Sequence, residues 1–229
     1  MFKPNRPRGR FTFDPRSFGD PVALQVAWTP AVKGGSNIRT RKLKVVNSER
    51  MVFKPTLTVL FFALLFLGIG TAMLAFAIMA LVLSQGNVNG AVGLVLMLGL
   101  FSFLGGGVLW YKMTERIVFD KSRGYYWKGG SRKETLDDLT DYAPLRQIHA
   151  LQLISEYCEG SSSMDDDWSD RHRNFYYSYE LNLVLHNAER VNIVDHGSYP
   201  GLRRDAETLA DFLGIAIWDV TGLGELGPA

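Results

Sequence analysis

The most conspicuous lack in this chain is charge over a long stretch. From Pro55 to Tyr111 there is no Asp, Glu, Lys, Arg or His. That disfavours a solvated helical segment, and it disfavours an ion or proton pump, which needs an ionisable group inside the membrane. Cysteine occurs once, at Cys158. An intramolecular disulfide is therefore impossible, which suits a reducing compartment, and Cys158 reads as a small buried or edge residue. No Gly-rich phosphate-binding loop is present, and no Ser or Cys nucleophile is set beside a histidine. A signal peptide does not fit either, because the first apolar block starts too late and runs too long.

What fills the uncharged stretch is two apolar blocks, Thr56 to Leu83 (28 residues) and Val88 to Tyr111 (24 residues), broken by Ser84-Gln85-Gly86-Asn87. A helix crosses a bilayer core about 30 Å thick with roughly 20 apolar residues, and hydrocarbon forces each segment to satisfy its own backbone polar groups. The expectation is a transmembrane helical hairpin over 55–111. Gly68, Gly70, Ala72, Ala75, Gly99, Ser102 and Gly106 allow close helix approach, either within the hairpin or between copies in a homo-oligomer. Gly105-Gly106-Gly107 is a place where the second helix could loosen.

Charge is divided unevenly on either side. Residues 1–54 hold twelve Lys/Arg and three Asp/Glu, a net +9, whereas residues 112–229 hold thirteen and twenty, a net −7. Lys42, Lys44, Arg50 and Lys54 precede the first block; Lys112, Arg116, Lys121 and Arg123 follow the second; the connecting turn has none. The positive-inside rule then places both termini in the cytoplasm, at the plasma (inner) membrane, with two spans. Residues 1–20 read as a basic flexible arm. Arg6, Arg8, Arg10, Lys42, Lys44, Arg50, Lys54 and Lys112 are the candidate contacts for anionic lipid.

Elsewhere the pattern is that of strands. In the juxtamembrane segment 21–54, Val22 to Trp28 alternates like a half-buried strand, and Gly34-Gly35-Ser36-Asn37 is a turn signal. Thr40 to Val46 and Met51 to Phe53 form a hairpin about Asn47-Ser48, expected to pair with or pack on the later domain, because two strands alone are marginal. In the domain over 112–220, Arg116 to Asp120 and Tyr125 to Lys128 are strands joined by Lys121-Ser122-Arg123-Gly124. Residues 131–143 read as loop. From Leu145 to Tyr157, Leu151, Leu153 and Tyr157 fit a strand while Leu145, Ile148 and Leu151 fit a helix; strand is preferred, because the segment follows Pro144 and neighbours other strands. The segment 160–174 is an acidic, Ser-rich insertion. Phe175 to Leu185 is the cleanest strand, with its Tyr and Leu residues on one face and Ser178, Glu180, Asn182 and His186 on the other. Val191 and Ile193 continue the apolar face if Asn187-Ala188-Glu189 is the loop. A helix follows, with Ser198 as N-cap, Pro200 in its first turn, Leu202, Ala206, Leu209, Ala210 and Leu213 as its stripe, and Gly214 as its stop. Ile215 to Trp218 is a brief apolar strand, and 221–229 is a tail. The fold class is thus a membrane α-helical hairpin plus an α+β domain with an antiparallel sheet closed by one C-terminal helix.

Candidate chemistry is sparse. Asp165-Asp166-Asp167 with Asp170, His172 and His186 lacks the alternation and glycine of a calcium loop and the cysteines common in structural zinc sites, so it reads as an acidic loop that meets a basic partner. The hairpin register sets His196 opposite Glu180 and His186 opposite Arg190. His with a carboxylate can do acid–base work, but cross-strand pairs of this kind are ordinary on a solvated face. The reading is therefore not an enzyme, with no metal and no cofactor. The aromatic residues lack the interleaved cations of a nucleic-acid platform. Asp165, Asp166, Asp167, Glu180, Asn182 and His186 are the candidate partner surface.

The order of parts resembles bacterial two-span membrane-anchored proteins with a pleckstrin-homology-like domain. In layout it is similar to the photosystem I assembly factor family of plastids and cyanobacteria. The matched residues are Phe119-Asp120-Lys121 with Gly124; Pro144, Arg146 and Ile148; and Ala206, Leu209, Ala210, Phe212 and Leu213, within a likeness spanning roughly 56–220. The basic extension and the acidic insertion depart from that pattern, and no matched position carries chemistry. The resemblance implies a pleckstrin-homology-like sheet capped by a helix, and a non-enzymatic scaffold or assembly factor for a membrane protein complex. The alternatives are a lipid-sensing regulator and, in a third class, a membrane-associated enzyme using His186 or His196.

Overall fold

The computed structural model describes residues 13–32, 34–129, 141–160 and 174–222. They form an α+β protein with two long apolar helices and antiparallel sheets. Two compact units are present: residues up to 53 with 117–128 and 139 onward make one, and 54–116 belong to the other.

In the first unit, strands β1 (Arg41–Asn47), β2 (Arg50–Pro55), β3 (Arg116–Asp120), β4 (Tyr125–Gly129) and β5 (Asp141–Pro144) lie in chain order in a five-stranded sheet. β2 and β3 pair antiparallel, Arg50 with Asp120 through Phe53 with Ile117. The apolar helices are thus an insertion between two neighbouring strands, and the juxtamembrane strands share a sheet with the later ones. Part of the 131–143 segment read as loop, from Asp141 on, is strand β5, paired with β4.

The second sheet holds β6 (Ile148–Gly160), β7 (Asn174–Leu185), β8 (Arg190–His196) and β9 (Ala216–Asp219), in the order β8-β7-β6-β9. Helix α3 (Tyr199–Leu213) joins β8 to β9, which returns parallel to β6. Pro200 sits in its first turn, and Gly214 (φ 72°) ends it in the left-handed conformation that glycine adopts without steric cost. Ser198 makes no side-chain cap bond. One apolar core joins both sheets and α3, through Phe53, Phe119, Leu151, Leu183, Leu202 and Leu209, among others.

Two expectations from periodicity fail. Val22 to Trp28 is a single helical turn after Pro21, not a strand. Val22 N–H donates to Asp20 at 2.8 Å, Val26 N–H reaches Val22 O at 3.1 Å, and Leu24 points to solvent while Ala23 and Val26 are buried. An Asp-Pro start favours such a turn over an extended run. The β7–β8 register also differs. Ala188 takes a positive φ in the turn and β8 bulges at Ile193, so Glu180 pairs with Asp195, Tyr179 with His196, and Val184 with Arg190.

The second unit holds α1 (Leu57–Leu83) and α2 (Gly90–Thr114), both long and apolar enough to cross a membrane. Three of the small residues account for their close packing. A Cβ on Gly70 would lie 2.5 Å from Phe103 N, one on Gly106 2.7 Å from Leu67 N, and one on Gly99 3.0 Å from Met73 Cβ. Ser102 Oγ donates to Phe66 O across the pair at 2.9 Å. A Cβ on Gly68, Gly105 or Gly107 would meet nothing within 4 Å, so these three take no part in that packing. Phe101 (78 %) and Phe76 (64 %) belong to a largely exposed apolar surface.

Candidate functional site

The polar face of β7 is covered rather than open. Glu180 and Asn182 are 3 % and 0 % exposed. Their cover is formed by residues 13–32 and 34–40, which cross the outer face of the second sheet as a strap. This corrects the expectation of an exposed partner surface at those two residues: alternation shows which side chains share a face, but not what chain segment lies on it.

The sheet holds the strap mainly by its main chain. The Glu180 carboxylate accepts from Ala31 N–H, 2.9 Å to each oxygen. Glu156 accepts from Gly34 at 3.2 Å and Gly35 at 3.4 Å. In the other direction, Gln152 Nε2 donates to Ala27 O (3.0 Å), Arg190 Nη1 to Thr29 O (2.6 Å), Tyr176 OH to Gly35 O (2.9 Å) and Ser178 Oγ to Ser36 O (3.2 Å). Gly35 lies so close that a Cβ there would fall 2.0 Å from Ser178 Oγ. An apolar anchor completes the seal: Phe18 stacks on Trp28 at 5.3 Å, both rings meet Trp218, and Ala23 and Val26 pack with Ala150 and Val184. Phe13 joins Phe18 and Trp28. The arm read over 1–20 is therefore packed from Phe13 onward; Arg6, Arg8 and Arg10 lie outside the described residues.

Neighbouring residues of β8 serve opposite faces. Asp195, beside Glu180 on the outer face, accepts from Asn192 at 2.8 Å. Burial pushes its pKa from 3.8 up to about 6; the Asn192 bond opposes this and the Glu180 charge adds to it. His196, on the inner face beside Tyr179, is fully buried. Burial, helped by Arg39, lowers its pKa from 6.5 to about 4. Its Nδ1 accepts from Ser198 N–H at 3.2 Å, so the proton sits on Nε2, which has no partner among the described residues. The His196–Glu180 pair expected from sequence is not formed, since the two project to opposite faces.

His186 is exposed and does not face Arg190. Instead its Nδ1 lies 3.0 Å from Nδ1 of His149, whose Nε2 lies 2.7 Å from Asp20 Oδ2 on the strap. Bonding to His149 lowers the Asp20 pKa, against a desolvation that raises it. Sequence reasoning missed both His149 and Asp20, because the irregularity in β6 that turns His149 toward His186 leaves no mark in the residue pattern.

Of the basic candidates, Lys42, Lys44, Lys54 and Lys112 are exposed. Arg50 is engaged, 3.8 Å from Asp120 and 5.7 Å from the Trp127 ring centre. A groove of about 520 Å³ collects other cations: Lys121 and Arg123 from the β3–β4 turn and Arg146 beyond β5, with Tyr125, Leu145 and Leu213 as its apolar wall. Buried Asp120 shapes that turn, accepting from Ser122 Oγ at 2.6 Å and Arg123 N–H at 3.0 Å. Leu145 N–H ties the two walls by bonding Gly124 O at 2.9 Å. Among the described residues no group of three or more His, Cys, Asp or Glu converges on a metal position. Asp165, Asp166, Asp167, Asp170 and His172 lie outside the described residues.

No family model, no curated protein and no solved structure matches this chain.

Proposed function

We propose that the protein is a membrane-anchored binding module, a scaffold or assembly factor for a membrane protein complex, with a pleckstrin-homology-like unit carried on a two-span anchor and both termini cytoplasmic. The observation that carries the reading is the exposed, charge-free surface of α1 and α2, inserted between two paired strands of a folded α+β unit. Phe and Leu side chains left on the outside of a helix pair are stable in lipid and costly in water. The two sheets closed by α3 support the pleckstrin-homology-like reading, and the motifs shared with the photosystem I assembly factor family support the helper role. Extraction in mild detergent, followed by native sizing and affinity capture of the full chain, tests it. A stoichiometric complex with another membrane protein is expected; a chain recovered alone contradicts it.

A second reading, lipid sensing, draws on the groove with Lys121, Arg123 and Arg146. None of the three makes an ion pair among the described residues. Lys121 lies over the Phe212 ring at 4.4 Å and Arg123 over Trp127 at 5.7 Å, contacts that leave their charge without a counterion, and three cations around one apolar wall suit an anionic headgroup. Binding of the full chain in nanodiscs to added vesicles, with and without anionic lipid, separates the two readings. A preference for anionic vesicles that disappears in Arg146→Ala supports lipid sensing, and equal, negligible binding removes it.

A further inference from the structure

The motif Asp20–His149–His186 lies outside the function proposed above and does not depend on it. Three observations single it out. First, the β6–β7 register shifts between Ile148 and Ala150, so His149 is the extra residue of an irregular step in an otherwise continuous ladder. Such steps re-aim a side chain and recur beside functional sites. Backbone bonding fixes the other partner as well, since His186 N–H donates to Gln147 O at 3.0 Å. Second, the two Nδ1 atoms face each other at 3.0 Å. Two imidazoles on one tetrahedral cation, each about 2.0–2.1 Å from it, hold their nitrogens roughly 3.3 Å apart. Third, Asp20 accepts the His149 Nε2 proton at 2.7 Å, which leaves Nδ1 as the lone-pair nitrogen. A carboxylate on the far nitrogen is the usual outer partner of a metal-bound histidine. The Trp218 ring, 5.7 Å away, closes one flank of His149, and the His186 side is open to water.

We propose that His149 and His186 form a two-histidine site for a borderline divalent transition cation, Zn²⁺ or Cu²⁺, with Asp20 as the positioning residue. Without a cation the pair shares one proton, donated from His186 Nδ1 to His149 Nδ1. Cation binding displaces that hydrogen bond: His186 shifts its proton to Nε2, which faces solvent, and both Nδ1 lone pairs turn to the metal. No net proton is released. Water takes the remaining coordination positions, because no further His, Cys, Asp or Glu among the described residues joins the site. The strap is drawn in as well, since Asp20 belongs to it. Occupation of the site therefore fastens the strap to the sheet.

The test uses the full-length chain, metal-stripped in detergent micelles, titrated with Cu²⁺ alone and separately with Zn²⁺ alone. One equivalent of saturable binding is expected, with two nitrogen donors in the Cu²⁺ paramagnetic resonance spectrum. His186→Ala, in an exposed turn, removes the two-nitrogen signal while leaving the fold intact, so the test stands even where His149→Ala fails to fold. Asp20→Asn keeps an acceptor for Nε2–H but loses the charge, and weakens affinity about 10–100-fold. Binding that is absent, or that persists unchanged in His186→Ala, overturns the site. An unchanged affinity in Asp20→Asn overturns the role given to the carboxylate.

Discussion

The two faces of the second sheet are made of alternate residues from the same strands, yet different forces hold them. On the inner face Leu151, Leu153, Leu181 and Leu183, all fully buried, meet α3 and the first sheet in an apolar core. On the outer face Gln152, Ser178, Glu180 and Asn182 are nearly as buried, but each is a polar group that must find a partner. The strap's main chain supplies partners for Gln152, Ser178 and Glu180, while Asn182 bonds Gln152 and Asn192 within the sheet. The inner face is stabilised by area removed from water and tolerates many apolar sequences. The outer face is stabilised by matched donors and acceptors, and the loss of one leaves another unpaired.

The largest expected effect is on the inner face. Leu183→Ala leaves a cavity at a fully buried position and costs about 2–5 kcal/mol, read as a fall in the denaturation midpoint, with strap and core lost together. If the strap alone loosens, the two faces are not held as described.

Next in size is a pair of opposed pH linkages. Asp195 holds its proton up to about pH 6 in the folded chain, against 3.8 unfolded, so its contribution falls as pH rises through that window. His196 refuses a proton down to about pH 4, against 6.5 unfolded, so its contribution rises over nearly the same window. Each is worth on the order of 3 kcal/mol at about 1.4 kcal/mol per pH unit, and they offset one another. In the stability of the wild-type chain these two contributions are expected nearly to cancel between pH 4 and 6. Asp195→Asn makes it rise with pH and His196→Gln makes it fall, as measured by denaturation at each pH. Parallel slopes in the two variants would break the reading that burial holds Asp195 protonated and His196 neutral.

Smaller effects belong to the outer face alone. Glu180→Ala leaves Ala31 N–H without its acceptor and Arg190 without a nearby countercharge, at about 1–3 kcal/mol. Hydrogen exchange is expected to quicken at residues 27–36 while the Leu151 and Leu183 amides stay protected. Ser178→Ala removes one donor to the strap, costs about 1 kcal/mol or less, and quickens exchange only near Gly35 and Ser36.

The same contrast explains what could be read from sequence. The inner face was legible because alternation in Tyr177 to Leu185 and the 3.6-residue stripe of α3 are local signals of burial. The hairpin was legible for the same reason, since absence of charge is local. The outer face was not: Glu180 is satisfied by Ala31, 149 residues away, and no pattern within β7 records that. A strap bonded through its main chain needs no periodic side chains, so Val22 to Trp28 could imitate a strand. The turn at Ala188 and the Ile193 bulge together moved Glu180 from His196 to Asp195, and the irregular step at His149 brought together two histidines that looked unrelated. The candidate partner surface was therefore legible as a set of polar residues but not as a covered one, and of its described members only His186 remains exposed.

With the outer face occupied from within, the largest unsatisfied apolar surface among the described residues is that of α1 and α2. This surface is expected to be satisfied by lipid. Washing membranes that carry the full-length chain with alkaline carbonate tests this most directly. The chain is expected to stay in the membrane pellet and to leave it only with detergent; release into the wash as a folded, soluble monomer would contradict the account.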